Sequence, residues 1–248
     1  MKTNRSVERA VAILIYVCQS DRPLGLTEIS NGTGLDKATV LRFLNTLANQ
    51  DMVRYQPENR RYLPGAGIYN FWPSEIRKIC RPHLEKLLDR TQETVCLITP
   101  RGGQRVCVDA LEPDRELRIV AAVGRQLPIH AGASGRVFMA QKNDKQIDKI
   151  LEDDDMTPLT VNSVSDKQTY RAQLHEVKTN GFAHNLGEVA LDTSAIAAPV
   201  FDAIGNTAAA VVLRGPGSRI ATTDIGTLSK LVMATASDIS RELAAMHD

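Results

Sequence analysis

The sequence predicts an α+β fold in two parts. A small helical domain ending in a β-hairpin comes first, then a larger domain in which helices pack on one antiparallel sheet. Three observations predict it. The apolar period is helical through most of the first 64 residues. It drops to two after Thr91. The later strands neighbour one another in sequence, with helices grouped around them. At 248 residues and 43% apolar content, the chain can form one large or two modest domains with real cores.

Residues 6–19 have the spacing of a first helix. Val7, Ala10, Val11, Leu14 and Cys18 form one apolar stripe, expected to face the core. Ile13 and Tyr16 stand on the other side, where a subunit interface is expected. The stretch from Leu26 to Tyr62 organises the rest of the chain. It reads as a short helix (26–32), a turn at Gly34-Leu35 and a second helix opening at Asp36, whose carboxylate suits the N–H of Ala38 or Thr39. Ala38, Leu41, Leu44, Leu47 and Ala48 recur on one face, leaving Lys37, Thr39, Arg42 and Asn45 elsewhere. A hairpin follows, residues 52–55 and 61–63, closed over Pro57-Glu58-Asn59 and carrying Arg60 and Arg61. A generic helical pair with a solvated face would share the turn. Turn, Asp cap, polar-basic outer face and basic hairpin together are the pattern of a winged helix-turn-helix, in which the helix reads base edges and the wing holds phosphates.

Residues 64–73 (PGAGIYNFWP) read as a joint between domains. Ile76, Ile79, Cys80, Leu84, Leu87 and Leu88 give a linker helix over 75–90, with a kink or break expected at Pro82. The domains are therefore drawn as 1–64, a linker of 65–90, and 91–248. Strands are expected at 94–99, 105–111 and 117–123, the first two joined by Pro100-Arg101-Gly102-Gly103. A small-residue stretch from Ala131 opens a helix to about Gln141, and helices follow at 145–151 and 166–179. Strands 195–201 and 207–214 form a hairpin, and a helix over 224–246 closes the chain.

Net charge is +1. Residues 1–64 carry 9 Lys and Arg against 6 Asp and Glu, the remainder 21 against 23, so positive charge gathers mildly where the DNA-reading motif lies. Cys18, Cys80, Cys96 and Cys107 are scattered, without metal-ligand spacing, and reduced thiols with no metal are expected. The longest apolar run, 10–18, is half a membrane span, and no signal core opens the chain; a cytoplasmic protein without a membrane partner is expected. Residues 132–136 (GASGR) miss the nucleophile elbow because Arg136 stands where its last Gly belongs. His130, His175 and His184 have no catalytic setting, so neither an enzyme nor a cofactor is expected. The same small residues either let an anionic ligand reach backbone N–H groups or serve close helix–sheet packing.

Five segments carry a resemblance: residues 5–10 (RSVERA), 37–44 (KATVLRFL), 81–84 (RPHL) with 91–95 (TQETV), 127–130 (LPIH) with 133–136 (ASGR), and 197–200 (AAPV). Over essentially the whole chain these resemble IclR-type transcriptional regulators. The resemblance implies a winged helix-turn-helix, a linker helix and a GAF-like domain that binds a small organic effector. It also implies homodimers, often dimers of dimers, on double-stranded DNA at palindromic operators of catabolic operons. Carried over by position, it puts Lys37, Thr39 and Arg42 on bases, and Arg5, Arg60 and Arg61 on phosphates. It lines the effector site with Gly132, Ala133, Ser134, Gly135, Asn185, Ala195, Val212 and Arg214. The chain departs from the pattern in three places. Only Glu188 represents the acidic residues usual after Gly181-Phe182, the linker after Gly65 is short, and Arg214 replaces a small polar residue. Strand alternation puts Ala210, Val212 and Arg214 on one face. Arg214 therefore either clamps a carboxylate of an organic-acid effector or splays into solvent at the strand's end. The rival readings are a small-molecule enzyme with an accessory helical domain, and a DNA-binding protein whose second domain only oligomerises.

Overall fold

The computed structural model describes residues 4–20, 22–65, 67, 74–101, 103–153 and 155–245, with the backbone alone at 74–76 and 153. Most of the expected joint at 64–73, and Gly102 of the first hairpin turn, lie outside the described residues. The chain divides into two compact units. One comprises Met1–Trp72 with Arg101–Gln104, the other Pro73–Pro100 with Arg105–Asp248.

In the first unit, helices α1 (Arg5–Cys18), α2 (Leu26–Thr33) and α3 (Lys37–Asn49) pack over a small antiparallel sheet. Its strands β1 (Leu24–Gly25), β2 (Val53–Gln56) and β3 (Arg61–Pro64) lie in the order β1-β3-β2. Each helix start is capped. Asn4 Oδ1 accepts from the Ser6 and Val7 N–H groups, and Asp36 Oδ1 accepts from Thr39 at 2.9 Å. Glu28 reaches back to the Gly25 N–H at 2.8 Å. Between α2 and α3, Gly34 adopts φ +68°, the left-handed helix stop that a Cβ disfavours. Tyr55 and Tyr62 face each other across β2 and β3 with ring centroids 4.9 Å apart.

Two expectations about helix faces are corrected. On α1, Ile13 and Val17 are the buried residues, with Tyr16 packed beside them. Val7, Val11 and Ile15 are the exposed ones, at 59%, 46% and 49%. The helix is apolar on two sides, so periodicity alone could not choose which side the core would cover. On α3, Val40 and Leu44 are buried and Leu47 packs partly against them, whereas Ala38 and Leu41 face outward. Every full burial of a branched aliphatic side chain here contributes about 1.5–3 kcal/mol.

In the second unit a six-stranded antiparallel sheet has the order β6-β5-β4-β9-β8-β7. The strands are β4 (Thr94–Arg101), β5 (Gln104–Leu111), β6 (Gln126–Pro128), β7 (Ala183–Leu186), β8 (Thr193–Phe201) and β9 (Thr207–Pro216). Helices α5 (Gly132–Ala140) and α7 (Lys167–Asn180) pack on the face that carries Cys96, Ile98, Ala197, Ala210 and Val212. The opposite face is covered by α9 (Ile225–Ala245), which packs on β8 and β9 and also against α4 (Ser74–Thr91). Helices α6 (Asp144–Asp153) and α8 (Gly217–Thr222) complete the unit. Helix α4 runs unbroken through Pro82, and buries Cys80, Leu84 and Leu87. All four cysteines are free, and burial pushes the Cys80 thiol up to about 12, where it stays protonated.

The strand expected at 117–123 does not form. Leu117, Val120 and Val123 are exposed, and the local polar groups are taken by side chains and a neighbouring strand residue. Glu112 accepts from the Ala121 N–H and pairs with Arg118, while Thr94 Oγ1 donates to the Ile119 carbonyl at 2.5 Å. The edge strand is β6 instead. Strand β7 and helix α8 were not expected from the sequence.

Candidate functional site

On α3, Lys37, Ala38, Leu41, Arg42 and Asn45 are all exposed, at the spacing that makes one outward strip along the helix. The Arg42 guanidinium lies 5.6 Å from the centroid of the Phe43 ring, a cation–π contact that helps hold its direction. Thr39 is half-buried, with its N–H held by Asp36. Arg5 is exposed at the start of α1. Arg60 sits in the β2–β3 turn with φ +56°, exposed, next to Asn59, whose side chain ties Gln56 to the Arg61 N–H. Arg61 is different. Its guanidinium donates to the Pro23 carbonyl at 2.9 Å and to Glu28 at 3.2 Å, so it braces β3 against the start of α2. The Arg22 guanidinium and then the Gly25 N–H hold the Glu28 carboxyl below its ordinary range, with the Arg61 charge a smaller influence.

The second site lies on the α5 side of the six-stranded sheet. Antiparallel registry sets Asn185 beside Ala195 and Ala195 beside Arg214, so these three stand in one row across β7, β8 and β9. The next row pairs Ala197 with Val212 and Val212 with Cys96. A small, partly enclosed cavity opens over these rows. Of the expected effector residues it is lined by Ala133, Ser134, Asn185, Ala195, Val212 and Arg214. Arg214 lies within β9, two residues before its end at Pro216, and faces this cavity.

The two expected glycines act as backbone, each for its own reason. Gly132 takes φ +65° at the start of α5, and a Cβ there would come 2.6 Å from Val189 and 3.0 Å from the Asn185 amide. Gly135 is buried within α5, where a Cβ would come 2.5 Å from the Ile129 carbonyl oxygen. Its absence lets α5 pack against the chain that leads into it. At both glycines the missing Cβ serves close packing.

Ile98, Arg105, Leu127, Val189 and Thr193 also line the cavity and were not expected. Arg105 is the most consequential. It is half-buried, its Nε is wholly buried without a hydrogen-bond partner, and burial lowers its pKa to about 10, helped by the charges of Arg214 and Arg125. It stays protonated at neutral pH. No Asp or Glu lines this cavity.

Arg136, 3% exposed, makes no comparable open charge. It forks onto both oxygens of Glu188 at 2.8 and 2.9 Å and also donates to Gln173 and to the His184 carbonyl. Glu188 is therefore an internal counter-ion that fixes the segment leading to Val189. His184 Nε2 lies 2.9 Å from Ser194 Oγ, but Ser194 is 1% exposed, too closed in to meet a substrate. Burial lowers the His184 pKa from its ordinary 6.5, with the Arg136 charge adding to the effect. The neutral ring is the folded form, so the unfolded chain binds the proton more readily. Stability from this group is complete above about pH 6.5 and is lost as pH falls through the lowered folded value. Thermal unfolding between about pH 7.5 and about pH 5.5 should show a smaller acid destabilisation in His184→Gln than in the native chain; equal slopes would remove His184 as the cause.

Among the described residues no helix is long and apolar enough to cross a membrane, and no cluster of three or more His, Cys, Asp or Glu could hold a metal ion. Two family models match the chain. The IclR helix-turn-helix domain matches residues 6–57 and the bacterial transcriptional regulator IclR C-terminal domain matches residues 73–241. The chain is 25% identical over 247 residues to the HTH-type transcriptional repressor AllR of Escherichia coli (strain K12), covering 98% of this chain and 91% of that one. An IclR-type regulator structure from Alicyclobacillus acidocaldarius matches with TM-score 0.66 and 27% identity, over 97% of this chain and 99% of that one. An IclR homologue of Microbacterium hydrocarbonoxydans, complexed with 4-hydroxybenzoate, matches with TM-score 0.65 and 18% identity, over 97% of this chain and 99% of that one.

Proposed function

This chain belongs to the IclR family of bacterial transcriptional regulators, and from that premise we propose that it binds a palindromic operator as a homodimer and releases or engages it on binding a small organic acid. The observation that carries the effector half is the acid-free cavity lined by Arg105 and Arg214 beside the start of α5. A carboxylate is the natural counter-charge for a guanidinium that the protein leaves without one. That the Microbacterium homologue is complexed with 4-hydroxybenzoate, itself a carboxylic acid, supports the same chemistry. The organic acid points to control of a catabolic operon, and the site of action is the cytoplasm, where operator and metabolite meet. A dimer, or a dimer of dimers, is supported by the exposed stripe Val7, Val11 and Ile15 on α1, three apolar residues four apart.

On DNA, α3 enters the major groove with Lys37 and Arg42 on base edges, and Leu41 in apolar contact with a thymine methyl. Thr39 acts through its backbone at the helix start. Arg5 and Arg60 take phosphates, while Arg61 steadies the wing through Glu28. These roles separate in an operator-binding experiment. Arg42→Ala should cost about 1–3 kcal/mol and relax specificity at one base position. Arg60→Ala should weaken all sequences alike and reduce the slope of log affinity against log salt by about 1. An Arg42→Ala protein that loses affinity equally for every sequence would reassign that residue to the backbone.

Effector binding acts on DNA by favouring one arrangement of the paired reading heads. Reciprocity then requires operator DNA to change the effector's affinity by the same factor.

A further inference from the structure

We propose that the effector is a dicarboxylate, with one carboxylate held by Arg105 and the other by Arg214. The proposal rests on the reading of this cavity as the effector site, and it names the class of acid.

Charge balance is the reason. Two guanidiniums line one cavity, and among the described residues neither is in an ion pair with a protein carboxylate. Of the two acidic residues adjacent in sequence to the lining, Glu188 is already committed to Arg136 through both oxygens and Asp192 is exposed to solvent. The Arg105 Nε is buried with no acceptor. Buried donors of this kind are satisfied in almost every folded protein, and a charged one left open is costly. The Arg214 charge is among the causes that bring the Arg105 pKa down. A monocarboxylate would balance one of the two charges and leave the other opposed only by neutral groups. Two carboxylates balance both.

The placement favours a two-ended acid over a single phosphate. Arg105 is on β5 and Arg214 on β9, with β4 between them. Arg105 opens β5 beside the turn that follows β4, whereas Arg214 pairs with Thr94 at the start of β4, so their backbones lie well apart on the sheet and only their side chains converge on the cavity. The guanidiniums therefore reach the cavity from different strands, with the apolar Ile98 and Val212 in the lining they share. A carbon chain lying on the apolar side chains with an acid at each end meets this arrangement. Arg125, exposed on the chain entering β6 and close enough to act on Arg105, adds attraction for an incoming dianion.

The test is calorimetric titration of the full-length protein with straight-chain dicarboxylates from oxalate to adipate. Each is paired with the monocarboxylate of equal chain length, and phosphoglycolate is included as a phosphate ester. One diacid should bind at least about tenfold more tightly than its paired monoacid. Arg105→Gln, with its folding checked by thermal unfolding, should abolish that preference, bringing the diacid's affinity down to that of its paired monoacid. Arg105→Lys, which keeps the charge but not the fork, should retain part of the preference. Paired acids of equal affinity, or a phosphate ester preferred over every diacid, overturn the dicarboxylate and leave the anionic-effector reading standing. Diacid preference that survives in Arg105→Gln also overturns it. If no acid or ester binds at all, the reading of the cavity as an organic-acid site fails as well.

Discussion

Replacing Arg136 by Met should destabilise the C-terminal unit by about 3–5 kcal/mol, because it leaves Glu188 as an uncompensated carboxylate in a largely closed site. For a unit of this size that is a fall in Tm of about 6–20 °C. The size of the effect follows from the number of bonds lost. Arg136 satisfies both Glu188 oxygens, the Gln173 side chain and the His184 carbonyl at once. The double variant Arg136→Met with Glu188→Met removes the orphan charge together with its partner, and should recover much of the loss. Thermal unfolding of the two single variants and the double variant is the check. A single variant within about 1 kcal/mol of the native chain would contradict the assigned role.

The second large effect is expected at α1. Val11→Glu with Ile15→Glu puts two carboxylates on the exposed apolar stripe without touching the buried Ile13 and Val17. The fold should persist, since the altered residues have no place in the core. Sedimentation should then show a smaller species than the native chain gives. Operator affinity should fall by about 10²–10⁴-fold, the gain that linking two half-site contacts supplies. A double variant that keeps the native oligomeric state would move the interface elsewhere.

The legibility of these features in the sequence was uneven, for physical reasons. The reading domain is built from local signals. Asp36 caps α3 through the Thr39 N–H, Gly34 stops α2 in the left-handed region, and the hairpin falls within a residue of its expected limits. Short-range rules suffice for such elements. The choice of buried face on α1 and α3 is a tertiary matter, and there the sequence misled, because both helices carry apolar residues on more than one side. At 117–123 the strand-like alternation was overridden by Glu112 and Thr94, partners outside the segment.

The cavity divides in the same way. Asn185, Ala195, Val212 and Arg214 were expected by position in the family pattern, and strand register explains why the three members from β7, β8 and β9 meet in a row. Arg105 escaped notice because it opens β5 next to the turn residues, where a basic residue normally meets solvent. Burial on both faces of β5 also removes the alternation that would have pointed it inward, as Val106, Cys107, Val108 and Asp109 are all buried. Val189 and Thr193 belong to the segment between β7 and β8, and β7 itself was not foreseen. Arg61 illustrates the converse. As one of two wing arginines it had the residue type for a phosphate contact, yet the Glu28 carboxylate and the Pro23 carbonyl engage it within the domain.

A regulator whose operator binding answers to an organic acid is tested most directly on DNA. The measurement is binding of the full-length protein to the intergenic DNA beside its own gene, at near-physiological salt, while small aliphatic and aromatic acids are titrated in. The expected result is specific binding that shifts with at least one acid, and loss of that shift in Arg214→Ala with operator affinity retained. Specific binding that no acid alters, or an Arg214→Ala protein that responds as the native chain does, would contradict it.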